Sequence, residues 1–321
     1  MTQQGPVYLG IDIGGTKVAA GLVSGVGEVQ YKTRVPMSSQ GDAGAGLASV
    51  RSAIDESRKA NPSVSISGIG ICSPGPLDPR AGVVINPPNL PCWRNFPLAE
   101  EVSKTYGLPV RVDNDANAAA LAETIWGAAR GFRNVFYATL GTGIGTGIVF
   151  DGKVYHGRTG AAAEGGHMTI DHHAARCGCG KRGCIEALAS GPAIAARARE
   201  KVTKASVGTK MLELAPGDAA AITAEIVAEA WRAGDPLAAE VLRETADLLT
   251  IWLGNIVDVL EPDVIVVGGG VAELMSHWFL HIREHLPTWS INQRCLEIPL
   301  KLARYSADAG IVGAAALCLS T

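Results

Sequence analysis

The sequence has no excess of positive charge: across 321 residues, 28 Lys and Arg stand against 31 Asp and Glu, a net charge of −3. Without a basic field there is no footprint for a nucleic-acid backbone or an anionic membrane surface, and neither is expected as a partner. Uninterrupted apolar runs are also scarce. The uncharged stretch from Asn134 to Phe150 is broken by Gly141, Gly143, Gly145 and Gly147, which argues against a membrane span. Met1 to Pro6 lack the basic start of a secretory leader and run straight into an apolar strand pattern, so a cytoplasmic protein is expected. Cysteine is sparse and odd in number. Of seven, Cys177, Cys179 and Cys184 crowd together, a spacing that points to metal binding in a reducing compartment more than to a disulfide framework. Cys72, Cys92, Cys295 and Cys318 are scattered and read as small buried hydrophobes.

What is present is a chain with 47% hydrophobic residues and 39 glycines. At roughly 150 residues per domain its length predicts two domains with a sizeable core, and it excludes disorder. Val7 to Ile13 and Lys17 to Val23 are apolar runs joined by Gly14-Gly15-Thr16, a strand, glycine turn, strand device. Ala138 to Leu140, Gly141-Thr142-Gly143 and Ile144 to Phe150 repeat it, which implies an internal duplication. Asp42 to Ala60 is helical in pattern, Ile66 to Cys72 is a buried strand, and Pro74 to Pro97 is a long loop. Asp115 to Ala129 predicts an Ala-rich helix, and Asp308 to Leu319 a closing one. Pro236 to Leu260 carries apolar residues at 3.6 spacing, a helix roughly 37 Å long.

Four motifs carry chemistry. In Asp12-Ile13-Gly14-Gly15-Thr16-Lys17 the glycines can present backbone N–H groups to terminal phosphates, Asp12 can hold Mg²⁺ or its water, and Thr16 or Lys17 can meet phosphate oxygens. Gly141-Thr142-Gly143 is a second such turn, able to face the first across a cleft. Neither turn matches the P-loop or the dinucleotide fingerprint. Val267-Gly268-Gly269-Gly270 follows a buried strand, either as a ligand seat or as a closely packed strand-to-helix turn; Gly68, Gly70 and Gly75 lie beside the proposed sites. In Asp113-Asn114-Asp115, Asp115 is placed to cap the following helix, whose dipole favours the charged carboxylate. That carboxylate can accept a proton from a sugar hydroxyl attacking a γ-phosphate. Finally, His167 with Cys177, Cys179 and Cys184 makes a closed set of the kind structural Zn²⁺ prefers, with His172 and His173 as competing ligands.

The paired glycine turns resemble those of the actin-like ATPase superfamily, which implies that Gly268, Gly269 and Gly270 support an adenosine. Taken together and in order, Asp12 to Lys17, Asn114 to Ala119, Thr142 to Gly145, Glu164 to His167 and Cys177 to Glu186 resemble the ROK family (repressors, open reading frames and kinases) over nearly the whole chain. The resemblance implies an α/β, duplicated actin-like ATPase (ribonuclease H-like) fold, with two domains flanking a cleft. The expected domains are residues 1–114, rejoined by a C-terminal helix at 307–321, and residues 115–306, with a zinc-binding insertion at 164–190. It implies Asp115 as catalytic base, Asn89, Asn114, Glu164, His167 and Glu186 as sugar-binding residues, and His167, Cys177, Cys179 and Cys184 as zinc ligands. ATP with Mg²⁺ would meet Asp12, Gly14, Gly15, Thr16, Lys17, Gly141, Thr142 and Gly143.

The resemblance implies an ATP-dependent hexose kinase forming dimers or tetramers. Asn89-Leu90-Pro91-Cys92-Trp93 is similar to the sugar loop of the family's glucokinases, which favours glucose over N-acetylglucosamine, N-acetylmannosamine, mannose or fructose. Polyphosphate or ADP are alternative donors. Gly165-Gly166 stands where many members carry a bulkier residue, a change expected to alter the pocket floor. Two other classes are weighed. Sugar-responsive repressors of the family carry a DNA-binding segment before the phosphate motif, whereas eleven residues precede Asp12 here. Chaperone and filament ATPases of the superfamily lack the His/Cys cluster and the sugar-binding acids.

Overall fold

The computed structural model describes residues 5–205 and 208–320. Met1 to Gln4, part of the stretch read for a leader, and Thr321, the end of the expected closing helix, lie outside the described residues. The chain forms two compact units: one of Met1–Tyr137, Gly147–Ala163 and Arg304–Thr321, the other of Ala138–Thr146 and Glu164–Ala303.

In chain order the first unit contains β1 (Val7–Ile13), β2 (Lys17–Ser24), β3 (Val29–Pro36), α1 (Ala43–Ala60), β4 (Ile66–Ser73), β5 (Leu77–Asp78), β6 (Val83–Val84), α2 (Leu98–Tyr106), β7 (Val110–Asn114) and α3 (Asp115–Ile125). Its sheet runs β3-β2-β1-β4-β7. β1 is antiparallel to β2 and parallel to β4, which is parallel to β7. The stretch expected as one long loop contains the small β5-β6 ribbon.

Alternation along β1 builds two different faces. Leu9, Ile11 and Ile13 enter a core with Leu47, Val50 and Ile54 of α1 and Leu98 and Val102 of α2. On the other face Gly10 pairs with Gly21 on one side and Gly70 on the other, a row of glycines across three strands. α11 (Ala309–Leu317) lies on that row. A Cβ on Gly10 would collide with the Ile311 carbonyl, one on Gly70 with that of Ala314, and one on Gly21 would stand 2.7 Å from Ile311 Cγ2. Gly70, expected beside a site, therefore serves the close approach of helix to sheet.

α3 follows the same rule. A Cβ on Gly313 of α11 would stand 2.8 Å from the Ala118 carbonyl carbon, so the two helices meet backbone to backbone through small residues. Buried Glu123 near the end of α3 accepts from Ala128 N (2.7 Å) and Tyr305 N (2.8 Å). This packing keeps α3 in the first unit, which thus extends past the expected boundary at 114, and α11 lies in the same unit.

β8 (Val135–Leu140) and β9 (Ile144–Phe150) straddle the division, and β10 (Lys153–Val154) follows. Next come α4 (Ile185–Ala189), α5 (Gly191–Lys204), α6 (Lys210–Leu214), α7 (Ala224–Arg232), α8 (Pro236–Leu260), β11 (Val264–Gly268), α9 (Gly270–Met275), α10 (Phe279–His285) and β12 (Leu300–Leu302). The second sheet runs β10-β9-β8-β11-β12, the same order as the first when strands are counted within each set. The duplication expected from the glycine turns thus extends to the whole sheet. α8 has the bounds its periodicity predicts. Asp235 caps it through Ala238 N (2.9 Å) with Pro236 in the first turn, where a missing N–H does no harm. No helix among the described residues is long and apolar enough to cross a membrane.

Candidate active site

In the first unit the turn after β1 closes through Gly14 N donating to Lys17 O (2.9 Å). Asp12, near the end of β1, has its carboxylate against the start of α11, where a Cβ on Gly310 would collide with it. The Cys72 thiol donates to Asp12 Oδ1 (3.5 Å) and to the Gly310 carbonyl (3.3 Å). Burial pushes the Asp12 carboxyl up, against the lowering influence of that thiol, Lys17 and Arg34. The loop carrying Asn89 comes to the same turn: a Cβ on Gly15 would stand 3.0 Å from the Asn89 carbonyl oxygen.

Asn114 and Asp115 stand at the passage from β7 to α3. The cap expected of Asp115 is made by Asn114, whose Oδ1 accepts from Ala116 N (2.9 Å), while Asp115 is the first helical residue and its Oδ1 accepts from the same N–H (2.8 Å). The electrostatic expectation also changes sign. Asp115 is exposed at the start of the helix, yet desolvation by the protein packed around its carboxyl raises its pKa from the ordinary value, more than the Ala116 N–H lowers it, and the charge of Asp12 pushes the same way. A carboxylate so raised is a stronger proton acceptor once ionised.

In the second unit, Gly141 N donates to Gly143 O (2.9 Å) and the Gly141 carbonyl accepts from Gly191 N (2.8 Å) at the start of α5. Glu186 of α4 meets this turn: its Oε2 accepts from Ile144 N (3.0 Å) and would lie 2.7 Å from a Cβ on Gly143. Its Oε1 lies 3.8 Å from His167 Nδ1 and accepts from Cys177 Sγ (3.6 Å). His167 Nδ1 is 3.7 Å from Cys177 Sγ, and Cys179 Sγ is 3.7 Å from Cys184 Sγ. The four candidate donors of His167, Cys177, Cys179 and Cys184 all lie within 4.8 Å of one another; His172 and His173 do not join that group. Burial pushes the Cys184 thiol up to about 12, whereas the Lys181 backbone N–H lowers that of Cys179.

The glycines before His167 have a local reason. Gly165 N donates to Thr146 Oγ1 (2.9 Å) and its carbonyl accepts from Trp252 Nε1 of α8 (3.1 Å). A Cβ on Gly165 would stand 2.8 Å from Thr146 Oγ1, and one on Gly166 would collide with the Ile144 carbonyl. Gly269 has φ +90° and presses on the Leu140 carbonyl, so close packing accounts for it, whereas Gly270 faces open space.

The first unit thus gathers Asp12, Gly14, Gly15, Thr16, Lys17, Asn89, Asn114 and Asp115, and the second Gly141, Thr142, Gly143, Glu164, His167, Glu186, the three cysteines and Gly268 to Gly270. Sequence reading missed the thiol of Cys72 as a donor to Asp12, the hydroxyl of Thr146, and the pairing of Asp113 with His156 (2.6 Å). The hydrophobic reading of Cys72 captures its burial only, and the other partners are too far apart in sequence to form a local pattern.

A profile of the ROK family matches residues 8–321. The chain is 34% identical over 309 residues to a glucokinase of Halalkalibacterium halodurans, covering 95% of this chain and 93% of the relative. It is 31% identical to an N-acetylmannosamine kinase of Salmonella arizonae, covering 96% and 97%. Among solved structures, a ROK family glucokinase from Streptomyces griseus in complex with glucose and AMPPNP superposes with a TM-score of 0.79 at 34% identity, covering 97% of this chain and 98% of that one.

Proposed function

The chain belongs to the ROK family, and on that premise we propose that it is an ATP-dependent hexose kinase that transfers the γ-phosphoryl group of ATP to the 6-hydroxyl of glucose. The observation that carries this reading is Asp115, a solvent-accessible carboxylate at the start of α3 whose Oδ1 is held by the Ala116 N–H (2.8 Å) and whose affinity for a proton is raised by the protein packed around it and by Asp12. Asp115 takes the proton of the 6-hydroxyl, the oxygen attacks the γ-phosphorus in line, and ADP leaves with the β–γ bridging oxygen. Asn89, Asn114, Glu164, His167 and Glu186 bind and orient the sugar. The N–H groups of the two glycine turns receive the phosphates, with Thr16 and Lys17, and Gly268 to Gly270 support the adenosine.

Mg²⁺ fits the first turn. Asp12 is a desolvated carboxylate with a second one nearby, an arrangement that a divalent cation relieves. Bound there, the ion neutralises charge on the phosphates. Zn²⁺ fits the second unit, because one imidazole and three thiols converge within 4.8 Å, a four-donor set of the kind that would close a structural zinc site. His167, Cys177, Cys179 and Cys184 would hold the ion in a structural role; His167 Nδ1 is the ring nitrogen beside the Cys177 thiol, which would leave Nε2 for the sugar.

N-acetylmannosamine is the second reading, supported by the 31% identical kinase. Coupled ADP release measured over glucose, N-acetylglucosamine, N-acetylmannosamine, mannose and fructose separates the two. Highest kcat/KM with glucose is expected. Preference for an N-acetylated sugar replaces the first reading, and ADP release without a phosphorylated sugar overturns both.

A further inference from the structure

Asp113 directly precedes the two residues just assigned to sugar and proton, yet it faces a different set of partners. It is 4% exposed, and its carboxylate receives three donors. Oδ1 accepts from Asn114 N (2.7 Å) and Asn117 Nδ2 (3.1 Å), and Oδ2 meets Nε2 of His156 at 2.6 Å. The Asn117 amide is itself 2% exposed, and its Oδ1 has no hydrogen-bond partner in the structure. A buried amide with an idle acceptor is placed for its donor end, and that end goes to Asp113.

His156 comes from the irregular segment that follows β10. Its backbone is anchored on both sides: Tyr155 N donates to Ile148 O (2.8 Å), and the Gly157 carbonyl accepts from Arg80 Nη2 (3.3 Å). The imidazole side chain is 25% exposed and lines a cavity of about 610 Å³, shared with Arg80, Arg111, Lys153 and Asp151. Of these, Asp151 is paired with Arg133 (2.9 Å). Thus the partner of buried Asp113 stands at an accessible position, while Asp113 itself reaches the peptide that introduces Asn114 and Asp115.

From this geometry we infer that Asp113 is a positioning residue for the proposed phosphoryl transfer, and that His156 holds its carboxylate in place. The inference rests on the reading of Asp115 as proton acceptor. The chain of contacts is short. His156 fixes Oδ2, which orients Oδ1 toward the Asn114 N–H and the Asn117 amide. Asn114 in turn caps α3, and the next residue is Asp115. Asp113 touches no reacting atom. It acts by removing freedom from the turn, and a reacting group displaced by a fraction of an ångström loses much of its advantage.

His156→Ala and His156→Gln separate this role from a merely structural one, since the change is made at the accessible partner. His156→Ala is expected to lower kcat about ten- to hundredfold with the KM for ATP unchanged, as displacement of a reacting group does. His156→Gln, whose amide N–H can reach the same Oδ2, restores most of kcat. Hydrogen exchange at the Asn114 amide needs no substrate: it accelerates in His156→Ala and slows again in His156→Gln. Unchanged kcat in His156→Ala, equal losses in both variants, a loss that merely tracks the folded fraction, or unaltered exchange at Asn114 overturns the inference. A wild-type protein that phosphorylates no sugar overturns the hexose-kinase reading alone, and the exchange measurement still decides the role of Asp113.

Discussion

The two sheets repeat one strand order, whereas the two units secure their polar residues by opposite means. In the first, Asp12 and Asp115 sit on the ends of a strand and a helix, and those elements are locked by the Gly21-Gly10-Gly70 row, α11 and α3. In the second, Glu164 and His167 lie in a stretch where, up to Cys184, the chain has a single three-residue 3₁₀ turn, Gly165–His167, and two isolated bridges. A core orders the first set, and convergence of an imidazole with three thiols orders the second. Desolvation by the surrounding protein therefore raises the proton affinity of the acids in the first site, while a metal ion held by the four donors would set the shape of the second.

The sharpest test is at the core-held site. Asp115→Asn should lower kcat by about 10²–10⁴-fold, the usual loss of a general base, with the KM for ATP kept. Near-normal turnover in steady-state assays would remove Asp115 from that role.

Next in size is the candidate metal site. Metal analysis should find about one zinc per chain, the stoichiometry of a closed four-ligand site. Cys184→Ala should lose zinc and glucose affinity together while circular dichroism retains most of its signal; full glucose affinity in a zinc-free preparation would break the comparison.

Gly70→Ala should destabilise the protein by about 3 kcal/mol in urea unfolding, because a Cβ there must displace the backbone of α11. A neutral result would mean that the glycine row does not order the first site. Ala163, immediately before Glu164, has φ +65°. Ala163→Gly should raise stability by about 1 kcal/mol by relieving a left-handed alanine. A loss of stability on the same scale would show that this conformation carries no strain.

The smallest effect separates stability from activity at Asp115. Its folded pKa is raised, so the native state binds the proton more tightly than the unfolded chain. Stability therefore falls as pH rises from the ordinary Asp value of about 4 through the raised one. Asp115→Asn should melt above the wild type at neutral pH and match it in acid. The opposite trend across a pH series of melting curves would show that desolvation does not dominate there.

Much of both sites is legible in short windows, because a glycine turn, an Asn-Asp pair before a helix and a Cys/His cluster each need neighbours in sequence. The periodicity of Pro236 to Leu260 likewise defines α8 without reference to anything else. Asp113 and His156, 43 positions apart, leave no such trace. Nor does the glycine row: Gly10, Gly21 and Gly70 are three unrelated positions until strand register aligns them.

The sequence by itself determined the duplicated glycine turns, the candidate acids and the candidate metal-ligating set, since side-chain chemistry and local backbone freedom are properties of residue type. Only the tertiary structure decided that Asn114 rather than Asp115 caps α3, that Asp115 is raised instead of lowered, and which histidine joins the cysteines. Each of those depends on what surrounds a group in three dimensions. Desolvation and convergence act through neighbours in space, which the order of residues alone does not supply.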